Sequence, residues 1–147
     1  MPSFSVIKSF VGTLIGMAHD EGRIASLYAP ITKYLPELGK KDVRFGNITI
    51  QNLLDMRSGI AWNEGSYNLK DDAIKMGFRP NILKYALRVT VATIPENDDE
   101  YKSINTLLLG IILERVYHQK LALLLEQKIW KPMGMESHAT LNTDKHG

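Results

Sequence analysis

Two short groups of residues carry types and spacing that could do chemistry. The first is Ser5-Val6-Ile7-Lys8, a serine and a lysine three positions apart at the start of an apolar helical stripe. Positions i and i+3 share one helix face, so the Lys8 amine can reach the Ser5 hydroxyl. Serine is a weak nucleophile and needs a neighbouring base, a task a lysine can perform when its surroundings favour the neutral amine. A helix N-terminus adds positive potential that favours a neutral lysine and a developing oxyanion. Taken alone, the tetrad reads by default as a serine capping the helix and a solvated first-turn lysine. The second group is Tyr101-Lys102-Ser103. A tyrosine followed two residues later by a short polar side chain can bring a phenol and a hydroxyl to one side of a site. Alone, it also fits a ring packed at a helix entrance with Ser103 or Asn105 as the cap.

The elements that must position these groups read mostly as helices. Val6, Phe10, Val11, Leu14, Ile15 and Ala18 recur at spacings of three and four, which predicts a helix over Ser5 to Glu21 ending at Gly22. Leu108, Ile111, Ile112 and Val116 predict a second long helix over Asn105 to Val116, and a third runs from Lys120 to Trp130, stopped by Pro132. Between them lie short helical candidates: Ile50 to Arg57 capped by Thr49, Asp71 to Met76, and Asn81 to Arg88 capped by Asn81. Leu38 to Asn47 reads as a surface loop, Ala61 to Asn68 as a loop on the body and Pro95 to Glu100 as an acidic turn. Leu87 to Ile94 stays ambiguous between a helix end and extended chain. Glu136 to Gly147 is polar. With no repeat and no Gly/Ser linker, residues 1–147 read as one mainly α domain.

Composition narrows the function classes. The 147 residues are 44% apolar and 23% charged, which excludes a disordered chain. Eighteen Lys and Arg against 16 Asp and Glu leave a net charge of +2, with the basic residues scattered, so no nucleic-acid surface is expected. The absence of cysteine excludes a disulfide framework, thiolate catalysis and a thiolate zinc site. His19, His118, His138 and His146 show no ligand spacing, so no metal or other cofactor is expected. No apolar run reaches the roughly 18 to 20 residues that span a bilayer. Lys8 interrupts the one N-terminal run that could serve as a signal peptide. The chain thus reads as soluble, away from membranes and cytoplasmic as given, with its compartment open.

In this order, the segments resemble the serine β-lactamase and penicillin-binding-protein-like hydrolases, in the class C β-lactamase-like branch that includes esterases and 6-aminohexanoate-dimer hydrolases. Four blocks carry the resemblance: SVIKSFVGTLIGMAHDEGRI (Ser5 to Ile24), ITIQNLLDMRSGIAWNEG (Ile48 to Gly65), YKSINTLLLGIILERV (Tyr101 to Val116) and KIWKPMGME (Lys128 to Glu136). It implies Ser5 as the acylated nucleophile and Lys8 as the lysine that helps deprotonate it. It implies Tyr101 as the proton shuttle of the family's Y-x-N/S motif and Ser103 as that motif's polar residue at the substrate. Trp62, Tyr67 and Phe78 fall in the loop that borders the substrate site in relatives, with packing as the competing role. In this family the S-x-x-K tetrad works with a third motif, K-T-G or H-x-G, on a strand near the C-terminus.

Departures from the pattern matter as much. Neither K-T-G nor H-x-G occurs near the C-terminus; Asp144-Lys145-His146-Gly147 is neither. The glycine that commonly precedes the tyrosine motif is missing from Pro95 to Glu100, and Tyr117-His118 stands where Thr-Gly usually joins the last helices. The expected fold is therefore the helical lobe of the transpeptidase-like fold, lacking most or all of its sheet and truncated at both ends. Losing the sheet should bare the apolar faces of the Ser5 to Ala18 and Asn105 to Val116 helices, and a homo-oligomer is expected to cover them. Two functions follow. One is a serine hydrolase taking a small ester, amide or β-lactam through an acyl-serine, incomplete and weakly active or inactive as this chain. The other is a non-catalytic remnant acting as a binding or assembly module.

Overall fold

A computed structural model of the chain describes residues 4–66, 68–95 and 99–146. Seven α-helices follow in order among them: α1 (Ile7–Asp20), α2 (Pro36–Lys41), α3 (Ile50–Leu54), α4 (Asp72–Gly77), α5 (Ile82–Ala86), α6 (Ser103–Tyr117) and α7 (Leu121–Leu125). Single 3-10 turns lie at Phe4–Val6, Ile31–Lys33 and Val43–Asn47, and a π-helical turn at Glu126–Trp130 extends α7. Among the described residues, β-structure is limited to two isolated antiparallel bridges, Pro30 with Thr49 and Ile60 with Val91. The mainly helical expectation holds. Among the described residues, no helix is long and apolar enough to cross a membrane.

The core is built where the periodicity places it. Val11, Leu14, Ile15 and Ala18 of α1 are buried against Ile104, Leu108, Ile111 and Ile112 of α6. Each fully buried Leu or Ile contributes about 1.5–3 kcal/mol. These are the stripes expected to lie bare for want of a sheet. The two helices bury them against each other and against α3, α5 and α7. The stripes therefore lend no support to the expected homo-oligomer. The large apolar residues that are exposed, such as Tyr28, Val43, Leu69, Phe78 and Met133, are spread along the chain.

Leu38 to Asn47 is not a surface loop. Pro36 starts α2, because a proline at the first helical position has no intrahelical N–H to lose. The following 3-10 turn buries Phe45, and Leu38 and Phe45 are wholly inaccessible. Arg115 of α6 clamps this unit with two bonds to Glu37 (2.8 and 3.0 Å) and one to the Tyr34 carbonyl (2.8 Å). The caps are as expected: Thr49 and Asn52 close a reciprocal capping box on α3, and Asn81 accepts from the Lys84 N–H at 2.6 Å. The ambiguous 87–94 stretch leaves α5 as extended chain, pairing Val91 with Ile60. The polar tail is tied down, since the Asp144 carboxylate accepts the Ile82 N–H at 2.6 Å.

Candidate active site

Ser5 sits in the 3-10 turn before α1, and Lys8 lies in the first turn of that helix. Three residues per turn place positions i and i+3 on the same side, so both side chains face one way. Ser5 does not cap α1; Val6 holds the N-cap position without a side-chain bond. The Tyr101 hydroxyl donates to Ser5 Oγ at 2.6 Å. Lys8 Nζ lies 4.7 Å from the Tyr101 ring centroid and donates to Ser103 Oγ at 2.8 Å rather than to Ser5. Four of the seven candidate residues therefore meet, and tyrosine, not lysine, holds the serine.

The spacing of Tyr101 and Ser103 works because of the residue between them. Lys102 is extended (φ −140°, ψ 118°), so its neighbours project to one side and its own side chain to the other. That side chain runs into the body, where Nζ donates to the Ile60 carbonyl and pairs with Glu100, each at 2.7 Å. A buried ammonium satisfied in this way fixes the strand-like entry to α6. Neither Ser103 nor Asn105 caps the helix. Asn105 is fully buried and accepts the Ser58 hydroxyl at 2.7 Å, joining the Ser58-Gly59 turn to α6.

The cap of α6 comes from far along the chain. Glu64 Oε2 accepts the Ser103 backbone N–H at 2.5 Å, and Oε1 accepts the Ser103 hydroxyl at 2.5 Å. A carboxylate there satisfies an orphan N–H and meets the positive end of the helix dipole. Trp62 is buried, its ring edge-on to Tyr85 at 6.0 Å, and its Nε1–H donates to Glu64 Oε2 at 2.9 Å. Trp62 thus stands behind the site rather than open at its edge. Phe78 points to solvent and neither packs nor lines a cleft, and Tyr67 lies outside the described residues, as does part of the acidic turn (96–98). Glu64 and Lys102 are not legible as site residues in the sequence. The one signal for Glu64 is that no other charged residue lies between Ser58 and Leu69.

A cleft of about 240 Å³ opens beside Lys8, lined by Ser9, Gly12, Leu53, Leu54, Met56, Thr106 and Leu109. Around Ser5, then, the structure gathers an exposed serine hydroxyl, a phenol and an ammonium, with the cleft opening on the Lys8 side. That combination can transfer an acyl group onto serine.

Comparison with known proteins gives this arrangement its context. The Beta-lactamase family model matches residues 1–146. The 6-aminohexanoate-dimer hydrolase of Paenarthrobacter ureafaciens is 28% identical over 97% of this chain, which spans 38% of that enzyme. Among solved structures, a Bacillus anthracis protein assigned as a 6-aminohexanoate-dimer hydrolase superposes with a TM-score of 0.81 at 25% identity, over 97% of this chain and 40% of its own. A D-stereospecific amidohydrolase from Streptomyces gives 0.70 at 26% identity, covering 90% and 42%. A class C beta-lactamase bound to cefoxitin gives 0.65 at 23% identity, covering 90% and 34%, a likeness of fold alone. The chain thus spans about two fifths of the length of these relatives. With the family model matching all but the last residue of this chain, the chain belongs to the beta-lactamase family of hydrolases and has the fold of its helical lobe.

Proposed function

We propose that the chain carries the acyl-transfer half of a serine hydrolase acting on small esters or amides, with Ser5 as the nucleophile. The observation that supports this best is the 2.6 Å hydrogen bond between Tyr101 and Ser5 beneath the Lys8 ammonium. Ser5 Oγ bonds to the substrate carbonyl carbon. Its proton passes to the Tyr101 oxygen while the Tyr101 proton passes to the departing alcohol or amine, whose bond to carbon breaks. Hydroxyl hydrogens rotate freely, so one contact serves both directions. Lys8 over the ring stabilises the negative charge that builds on the phenol during transfer. Water then repeats the sequence on the Ser5 ester and releases the acid.

The second donor of an oxyanion hole is the weak point. Among the described residues no strand lies beside Ser5 to offer one, and such a donor contributes about 3 to 4 kcal/mol. Acylation by activated reagents is therefore expected to outrun turnover of ordinary substrates. A fluorescent fluorophosphonate and, separately, a fluorescent penicillin should label the folded chain and fail to label Ser5→Ala. Folded protein that resists both reagents would favour the alternative, a non-catalytic binding or assembly module.

A further inference from the structure

Ser103, which accepts from Lys8, is itself held by a carboxylate outside the S-x-x-K and Y-x-S positions. Glu64 makes three hydrogen bonds: from Trp62 Nε1–H (2.9 Å), from the Ser103 N–H (2.5 Å) and from the Ser103 hydroxyl (2.5 Å). A serine hydroxyl has one hydrogen and two lone pairs. Because that hydrogen is spent on Glu64, Ser103 Oγ meets Lys8 only as an acceptor, and Lys8 Nζ donates to it at 2.8 Å. The direction of every bond in the row from Trp62 to Lys8 is thereby set.

We propose that Glu64 is the positioning residue of this site: it fixes the Ser103 hydroxyl as an acceptor and thereby holds the Lys8 ammonium over the Tyr101 ring. The consequence for acylation rests on the acyl-transfer reading above; the positioning itself does not. Each link has an independent anchor. Trp62 is buried and braced by Tyr85, the Ser103 N–H is the first orphan donor of α6, and Lys8 is fixed to the first turn of α1. Glu64 therefore couples the 61–66 loop, α6 and α1 at one point.

Glu64→Gln keeps the shape and reverses one bond. Its carbonyl oxygen can still accept from Trp62 and the Ser103 N–H, which leaves the amide NH2 facing the Ser103 hydroxyl as a donor. The amide then takes one Ser103 lone pair, and the hydroxyl hydrogen, released from the carboxylate, is free to rotate among the remaining directions, so Oγ is no longer locked as the acceptor for Lys8.

The first readout needs no catalysis. In 15N spectra of lysine side chains, Lys8 in the unaltered chain should give an ordered ammonium signal. Glu64→Gln should lose that order, as should Ser103→Ala, while the other lysine signals and the thermal midpoint hold. The second readout is the rate of fluorophosphonate labelling at Ser5. Glu64→Gln should slow it about tenfold or more, the scale on which displaced catalytic groups act. Adding Glu64→Gln to Ser103→Ala should slow it no further. A Lys8 signal unchanged by Glu64→Gln overturns the proposal, as does full additivity of the two substitutions. Should Glu64→Gln fail to fold, Ser103→Ala decides alone, since it leaves the Trp62 bond and the helix cap intact, and an ordered Lys8 there also overturns the proposal. If the unaltered chain never labels while Glu64→Gln still frees Lys8, the acyl-transfer reading fails and the positioning stands.

Discussion

Ser5 and Tyr101 are both exposed, so the bond between their hydroxyls must hold against water. It is held because the groups beneath it have no freedom: Lys102 anchors the segment from inside and Glu64 anchors the next residue from outside. Tyr101→Phe removes only the hydroxyl and leaves a ring under Lys8. Positioned proton transfer is worth about 10²–10⁴-fold, so labelling at Ser5 should slow by about a hundredfold or more. With the side chain half in solvent, the thermal midpoint should hold. Equal labelling rates would mean that Tyr101 carries no proton. Spacing singles out Ser5 and Lys8 without choosing a reactive pair over a helix cap and a solvated lysine, and it does not reveal what Ser5 meets. Spacing pairs residues three apart, but the side chain that meets Ser5 lies 96 positions away.

At the scale of elements, α1 is legible because its apolar stripe is regular, whereas α6 is legible as an apolar run that is buried on every side from Leu108 to Leu113 rather than along the one expected face; both fall within two residues of expectation. Leu38 to Asn47 misleads because its charged residues obscure two deeply buried ones, Leu38 and Phe45. The Ser58-Gly59 turn shows how short pieces lock the long ones. Gly59 has φ +66°, and a Cβ there would lie 2.3 Å from the Thr93 carbonyl oxygen. Its own carbonyl accepts the N–H groups of Ala92 and Thr93 at 2.9 and 3.1 Å. Gly59→Ala should therefore cost the backbone strain of about 1–3 kcal/mol plus displacement of the 92–94 chain. Chemical denaturation reads this directly, and a loss below about 1 kcal/mol would contradict the close approach. Because Ser58 bonds Asn105, labelling at Ser5 should fall as well.

Across the whole molecule, charge ties the far ends of the helices together on the side away from the site. Glu21, after α1, accepts from Lys128 (2.7 Å), Tyr117 (2.9 Å) and Arg23 (3.3 Å). The Arg23 guanidinium and the Lys128 ammonium each lie over the Tyr117 ring, 4.4 and 4.8 Å from its centroid. The hydrogen bond from Lys128 lowers the Glu21 pKa below 4.5, and a backbone bond from Ile82 lowers that of Asp144 below 3.8. Burial, then the bond to Glu21, pushes Tyr117 up from 10.0 to about 12. Lowered carboxylates lend stability that is whole above those unfolded values and is lost as pH falls through the folded ones. The raised phenol lends stability that is whole below pH 10 and is lost as pH rises toward about 12. Thermal midpoints should thus fall below about pH 4 and again above about pH 10, and Tyr117→Phe should lessen the alkaline fall, to which the raised Tyr85 also contributes, and, by removing its bond to Glu21, a smaller part of the acid fall. An alkaline limb unchanged by that substitution would remove Tyr117 as its cause.

All of these contacts bear on one claim, that Ser5 takes an acyl group. The most direct test is intact mass and peptide mapping after brief exposure to p-nitrophenyl butyrate at neutral pH. The account predicts one added butyryl group, carried by the peptide holding Ser5, persisting because deacylation is slow and absent from Ser5→Ala. An unmodified chain, or butyryl found on Lys8 or elsewhere, would contradict it.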